Sequence, residues 1–192
     1  MHDELSAILE YYHSIEHDFD DFCSSFGIRC PGVCGRCCER FIPDITRLEA
    51  LALAFTLVDV QKRDISFLHG WSTEHDCCPL YNMDTHRCTV YGARPVICRV
   101  FCSSASRTKE GLSFRGCRLS TEPEGMVKSL DAAALSRSTV RVPVMGDYGE
   151  AVDQMQASSS RRLLDEAVLD EASRLYLVKS ILESDQEPPR AG

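Results

Sequence analysis

Cysteine supplies eleven of the 192 residues, and ten of the eleven fall between Cys30 and Cys117. The densest stretch is Cys30-Pro31-Gly32-Val33-Cys34-Gly35-Arg36-Cys37-Cys38, answered downstream by Cys98-Arg99-Val100-Phe101-Cys102. Thiolate sulfur is the ligand that soft metals prefer, so this clustering points first to a metal or iron–sulfur site. A disulfide framework fits less well: the total is odd, and Cys37-Cys38 and Cys77-Cys78 are adjacent pairs.

The chain start, Met1-His2-Asp3-Glu4, lacks the basic opening and apolar core of a secretory signal. A cytoplasmic, reducing setting is therefore expected, where clustered cysteines bind metal more often than they pair. No stretch approaches the roughly 18 apolar residues of a membrane span, so no membrane partner is expected. The net charge of −8 is unevenly spread. Residues 1–28 hold seven acids and no Lys or Arg, whereas residues 29–118 hold thirteen bases against nine acids. An acidic chain without a basic, aromatic-interleaved stripe is not expected to bind nucleic acid. The local excess of arginine has a nearer explanation, since thiolate clusters are anionic. A protein is the one partner class left open.

Leu5, Ile8, Leu9, Tyr12, Ile15, Phe19, Phe22 and Phe26 recur at three- and four-residue steps, predicting an amphipathic helix stopped by Gly27. Glu10, His13, Glu16, His17, Asp20 and Asp21 fill its other face. His13 and His17, though spaced i, i+4, read there as part of a solvated surface. Thr46-Arg47-Leu48-Glu49 is a capping box opening a second helix to about Leu57, and a third, short helix is expected at 60–68. Residues 77–117 break into loops, with a hairpin turning at Lys109-Glu110-Gly111. A second capping box, Thr121-Glu122-Pro123-Glu124, predicts a helix to about Arg137. Residues 141–158 read as a long loop, 159–183 as a last helix, and 186–192 as a disordered tail. The fold class is mainly α: a small helical domain with cysteine-bearing loops forming one or two metal sites. The expected organisation is an N-terminal helix (1–28) packed on the core, a cysteine-cluster domain (29–118), C-terminal helices (119–185) and the tail.

Within the cysteine segment, Cys34-Gly35-Arg36-Cys37 is a two-spacer turn that lets two thiolates reach one metal, the glycine easing the bend. Cys37 and Cys38 are adjacent, so their side chains are expected to diverge toward different sites. Cys78 and Cys88 lie ten apart, and Cys98 and Cys102 share a face if their segment is helical. Cys23, at the end of the apolar helix, reads as a buried core thiol. Cys77 and Cys117 stay unassigned. His75 and His86 read as loop residues. Cys30-x₃-Cys34-x₂-Cys37 also has the spacing of a radical-SAM cluster, but no strand–helix repeat of a barrel accompanies it.

The set Cys30…Cys34-x-x-Cys37-Cys38, Cys78-Pro79-Leu80 and Cys88-Thr89-Val90-Tyr91-Gly92-Ala93-Arg94-Pro95-Val96-Ile97-Cys98-Arg99-Val100-Phe101-Cys102 resembles the YkgJ-type cysteine-cluster family. That family is also described as a zinc- or iron-chelating domain, and it is similar to a region of flagellin lysine N-methylases. The resemblance covers about residues 28–105. It implies eight metal-binding cysteines, falling here on Cys30, Cys34, Cys37, Cys38, Cys78, Cys88, Cys98 and Cys102. This chain departs in two places: the first spacer is three residues where some members have two, and Cys77 doubles the cysteine before Pro79.

The residues around these cysteines suggest supporting roles in holding the cofactor. Arg94 and Arg99 can donate to cluster sulfurs or to loop carbonyls, Pro95 fixes a turn, and Tyr91 and Phe101 would shield the site. The expected cofactor is an iron–sulfur cluster or zinc, with a structural or electron-transfer role. The alternative is a metal-dependent enzyme acting on a partner protein, by redox chemistry or by lysine N-methylation as in the flagellin enzymes.

Overall fold

The computed structural model describes residues 1–28, 35–117 and 129–184. Helix of all kinds takes 54% of them, so the chain is mainly α with short strands between. Helix α1 (His2–Phe26) buries Ile8, Tyr12, Ile15 and Phe22 from the predicted stripe. Gly27 stops it in the left-handed region, at φ 64°, with its amide returned to the Cys23 carbonyl.

Strand β1 (Asp44–Thr46) runs straight into α2 (Arg47–Phe55), and β7 (Arg161–Leu163) runs straight into α7 (Leu164–Ser184). The two strands pair antiparallel with Ile45 opposite Arg162, which sets the two helices against each other. Every residue of α2 from Leu48 to Ala54 is buried, as befits a helix enclosed on all sides. α1 and the first turns of α7 cover it, together with α6 (Met145–Gln154) and Leu80, Val90, Val96 and Val100 of the cysteine segment. A second, smaller core of Phe22, Ile28, Ala105, Phe114, Leu135 and Val144 lies between the end of α1 and a three-stranded sheet. That sheet is β4 (Ala105–Thr108), β5 (Gly111–Arg115) and β6 (Ser129–Leu130). Its β4–β5 hairpin turns at the predicted place, pairing Thr108 with Gly111.

The capping box at Thr46 forms as predicted, and its acid reaches further than the pattern implies. Glu49 is 1% exposed. Its Oε2 accepts the Thr46 amide at 2.8 Å and the Thr46 hydroxyl at 2.9 Å. Its Oε1 accepts the Val96 amide at 2.9 Å, at the start of α4 (Val96–Val100). One carboxylate thus caps two helices, and α4 carries Cys98.

Several expectations differ from the structure. Residues 60–68 hold one 3₁₀ turn, Ser66–Leu68, because α2 ends in a π turn (Thr56–Val60) and Lys62 turns the chain at φ 52°. A four-residue helix, α3 (Trp71–Glu74), follows it. The Thr121–Glu124 box lies outside the described residues. The helix expected from it does not run through 129–130, because those residues pair with β5. Only α5 (Ala132–Ser136), capped by Asp131, is helical there. The loop expected at 141–158 contains α6. Burial of Tyr148 and Val152 outweighs the low helix propensity of Gly146 and Gly149. The last helix starts later than expected because 161–163 are drawn into the β1–β7 ribbon. The expected tail at 186–192 lies outside the described residues. Late in α7, Tyr176, Leu177, Ile181 and Leu182 are exposed. Among the described residues no helix is long and apolar enough to cross a membrane.

Replacing Glu49 by Ala removes an N-cap partner and leaves the buried Val96 amide without an acceptor. The expected loss is about 3 kcal/mol of unfolding free energy, an order-of-magnitude sum of a lost cap and a lost charged hydrogen bond. Urea denaturation of wild type and variant measures it; a change within 0.5 kcal/mol, roughly that of an ordinary surface substitution, would remove Glu49 from this role.

Candidate metal centre

Cys37 and Cys38 lie in a turn that begins at Gly35, with the Cys38 amide donating to the Gly35 carbonyl at 2.8 Å. Gly35 has φ +55° and lies flat on Tyr81: a Cβ there would stand 2.2 Å from the ring and 2.8 Å from the His86 carbonyl. Only glycine tolerates both the angle and the approach. The turn brings the Cys37 and Cys38 sulfurs to 4.0 Å from each other. The expected divergence of these neighbours is therefore corrected. Their spacing is close to the roughly 3.8 Å of two sulfurs bound 2.3 Å from one tetrahedral ion.

The second cysteine group is tied to the first through the backbone. The Cys78 amide donates to the Cys38 carbonyl at 2.8 Å. The Trp71 indole N–H holds the Cys77 carbonyl at 2.7 Å. Cys88 lies on β3 (Arg87–Cys88), directly opposite Tyr81 of β2 (Tyr81–Asn82). The Tyr81 hydroxyl hydrogen-bonds Glu39 at 3.2 Å and His86 Nδ1 at 2.9 Å. Cys98 lies in α4 under the Glu49 cap, and Cys102 follows just beyond that helix, where the buried Ser103 hydroxyl donates to its sulfur at 3.5 Å. Phe101 stacks on Phe41 with centroids 6.2 Å apart, joining the two groups across their outer side.

These thiols sense one another. Burial pushes the Cys78 thiol up to about 12, and the charges of Cys88, Cys77 and Cys37 add to the rise. Burial raises Cys98 as well, reinforced by Cys78, Cys88 and Cys37. Cys88 is raised by burial, with Cys37 adding. The Leu80 and Val90 amides, each two residues beyond its cysteine, oppose the shift by favouring the thiolates of Cys78 and Cys88. Cys37 differs. The hydrogen bond from Cys38 draws it down to about 7 against the opposing effect of burial, while Cys38 is held firmly as the thiol. Cys37 also interacts with Cys102. Six of the eight sequence-predicted cysteines are thus brought into one electrostatic neighbourhood. Cys30 and Cys34 lie outside the described residues. Among the described residues no three His, Cys, Asp or Glu side chains converge as a ready metal-binding group.

Of the two uses foreseen for the arginines, the described contacts go to carbonyls. Arg94 Nε donates to the Tyr91 carbonyl at 2.9 Å, and its guanidinium lies 3.4 Å from the Tyr91 ring centroid. Its charge still favours the thiolate forms of Cys37, Cys88 and Cys98. Arg99 is buried; it donates to the carbonyls of Arg94 and Gly92 and to Glu16, over the face of Tyr12. Glu16, expected on the solvated face of α1, is therefore an anchor for the α4 loop. Tyr91 is 60% exposed and does not enclose the sulfurs as expected. His75 stacks on Trp71 at 4.0 Å, and His86 bonds Tyr81. The sequence pattern missed Trp71, Tyr81 and Ser103, because each acts through a neighbour rather than through a spacing of its own. The two described surface cavities, of about 700 and 360 Å³, are lined by other residues and by no cysteine.

Residues 29–118 match the model of the CxxCxxCC family, described as "Putative zinc- or iron-chelating domain". No curated protein and no solved structure matches the chain significantly.

Two outcomes are expected in the reduced, metal-free protein. Gly35→Ala costs about 2 kcal/mol or more, because a strained angle and a backbone clash are imposed together; an unchanged melting temperature would contradict this. Iodoacetamide modifies Cys37 ahead of Cys38, Cys78, Cys88 and Cys98. Its rate rises with pH through a midpoint near 7, since the lowered pKa exposes the thiolate above that pH. Cys38→Ala removes the donor and moves the midpoint upward, as peptide mapping by mass spectrometry would record.

Proposed function

We propose that this cysteine segment holds a metal through sulfur, with Cys37, Cys38, Cys78, Cys88, Cys98 and Cys102 as described ligands and Cys30 and Cys34 completing the set. The observation that carries this reading is the 2.8 Å bond from the Cys78 amide to the Cys38 carbonyl, which clamps the two cysteine groups together. Metal binding by the family supports it. The Leu80 and Val90 amides favour the thiolate forms of Cys78 and Cys88, which is what ligation requires.

More than four thiols in one neighbourhood exceed what a single tetrahedral zinc takes, which favours an iron–sulfur cluster or a pair of metal ions. We read the iron–sulfur cluster first and zinc second. When bound, such a group would supply either rigidity or a one-electron carrier. The protein's own residues do the rest: Arg94 offsets negative charge, Arg99 and Glu49 fix the segment bearing Cys98, and Phe41 with Phe101 covers one side. A cytoplasmic setting belongs to the same proposal, because these sulfurs serve as ligands only when reduced.

Anaerobic purification followed by iron, sulfide and zinc analysis tests the metal. A brown protein with matching iron and sulfide is expected, and a colourless protein loaded only with zinc would replace the first reading by the second. Cys98→Ser and Cys38→Ser should each lower bound metal at least several-fold, whereas reduced Cys23→Ser should keep it. Equal metal content in all three would remove the ligand assignment.

A further inference from the structure

The peptide unit between Cys77 and Cys78 is held at both ends. Its carbonyl accepts the Trp71 indole N–H at 2.7 Å, and its amide donates to the Cys38 carbonyl at 2.8 Å. A peptide unit is planar, so bonds at its two ends leave it little freedom to turn. Its orientation in turn fixes where Cys78 leaves the backbone. The Cys38 bond lies within the cysteine groups, whereas the Trp71 bond reaches out of them.

Trp71 opens α3, a single turn too short to persist alone. Gly70 precedes it and offers no side-chain cap. The cap comes from α7 instead: Asp165 Oδ2 accepts the Ser72 amide at 2.8 Å. Asp165 is 1% exposed, and its helix is pinned at the start, where the Leu164 amide donates to the Pro43 carbonyl at 3.0 Å. Asp165 Oδ1 has no hydrogen-bond partner. Burying a carboxyl group with one oxygen unpartnered costs free energy, so the bond to Ser72 is what this residue contributes. The Trp71 ring meets Phe67 edge-on at 6.4 Å and stacks on His75 at 4.0 Å. Phenylalanine would keep those ring contacts but not the N–H.

We propose that Trp71 is a positioning residue of the metal centre and that Asp165 is the anchor that holds it. The pair sets the peptide plane from which Cys78 presents its sulfur, so the support inside the cysteine segment is itself fastened to α7. The proposal rests on the reading of Cys78 as a ligand, and it gives neither residue a contact with the metal. Outer partners that orient a ligand are worth about 10- to 100-fold in metal affinity.

The test uses the full, reduced chain, first without metal. Exchange of the Cys78 amide with solvent is read by NMR against the Leu51 amide of the buried α2. The ratio should rise about tenfold or more in Trp71→Phe and in Asp165→Ala. Asp165→Asn still offers Ser72 an acceptor and should keep the wild-type ratio. An unchanged ratio in Trp71→Phe would overturn the proposal, and an Asp165→Asn that behaves as Asp165→Ala would overturn the anchor. A second arm titrates zinc into each protein anaerobically against a chromophoric chelator. Trp71→Phe and Asp165→Ala should bind about tenfold or more weakly than wild type, with Asp165→Asn close to wild type. Leu175→Ala, a core truncation farther along α7, should lower stability and leave zinc affinity unchanged. Equal weakening in Leu175→Ala would mark the effect as lost stability and overturn the proposal. If wild type takes up neither zinc nor, on anaerobic reconstitution, iron and sulfide, the proposed function falls while the amide ratio still decides how the peptide is held.

Discussion

Glu49 sits at the start of a helix enclosed on every side, and both of its oxygens are committed: one to Thr46, the other to the Val96 amide. A buried carboxylate is tolerated only where its hydrogen bonds are complete, because leaving it short of donors costs several kcal/mol. The requirement works in both directions. α2 needs the Val96 amide in place to satisfy its acid, and α4 needs the acid to satisfy its first amide. The position of Cys98, two residues into α4, follows from that mutual demand. Arg99 completes it from below, tying the carbonyls of the preceding loop to Glu16 of α1.

The sulfurs set the opposite problem. Burial raises Cys78, Cys88 and Cys98, and each thiolate formed makes the next harder to form. Without a cation the neighbourhood can ionise at Cys37, where Cys38 supplies the hydrogen bond, but resists further charge. Ligation demands deprotonated sulfur, so metal uptake here releases protons and becomes more favourable as pH rises. Arg94 lowers the barrier from the side, and the Leu80 and Val90 amides do so from the backbone. In the proposed reading, the same burial that keeps these thiols neutral in the metal-free protein makes a bound cation most effective once it arrives.

How much of this was legible depended on whether a feature is local. The α1 stripe with its Gly27 stop, the Thr46–Glu49 capping box and the hairpin at Lys109–Gly111 are written in residues a few positions apart, and each forms as read. α6 was missed because two glycines and a proline suggest a loop, while the burial of Tyr148 that overrides them comes from α1. The ribbon of 44–46 with 161–163 carries no local signature. In the site, spacing drew attention to the cysteines, yet it could not show that Cys37 and Cys38 point the same way. That depends on Gly35 lying against Tyr81, a contact across 46 residues. Glu16 was read as solvated because the residue that claims it, Arg99, belongs to another element.

The matched segment, 29–118, does not enclose its own interior. Its longest helix among the described residues, α2, is buried by α1 and α7, and both lie outside the match. Short loops closed around sulfur bury little apolar surface, so a segment of this kind needs either its metal or neighbouring helices to stay folded. Here α1 does more than cover. Tyr12 lies under the Arg99 guanidinium, and Glu16 pairs with it. These two residues stand four apart on one helix and meet the segment at α4. Any shift of α1 would therefore be felt at α4 and its Cys98, while Cys37, Cys38 and Cys78, held to one another through Gly35 and the Cys38 carbonyl, have a separate support. The centre rests on two scaffolds, one built within the segment and one supplied by the N-terminal helix.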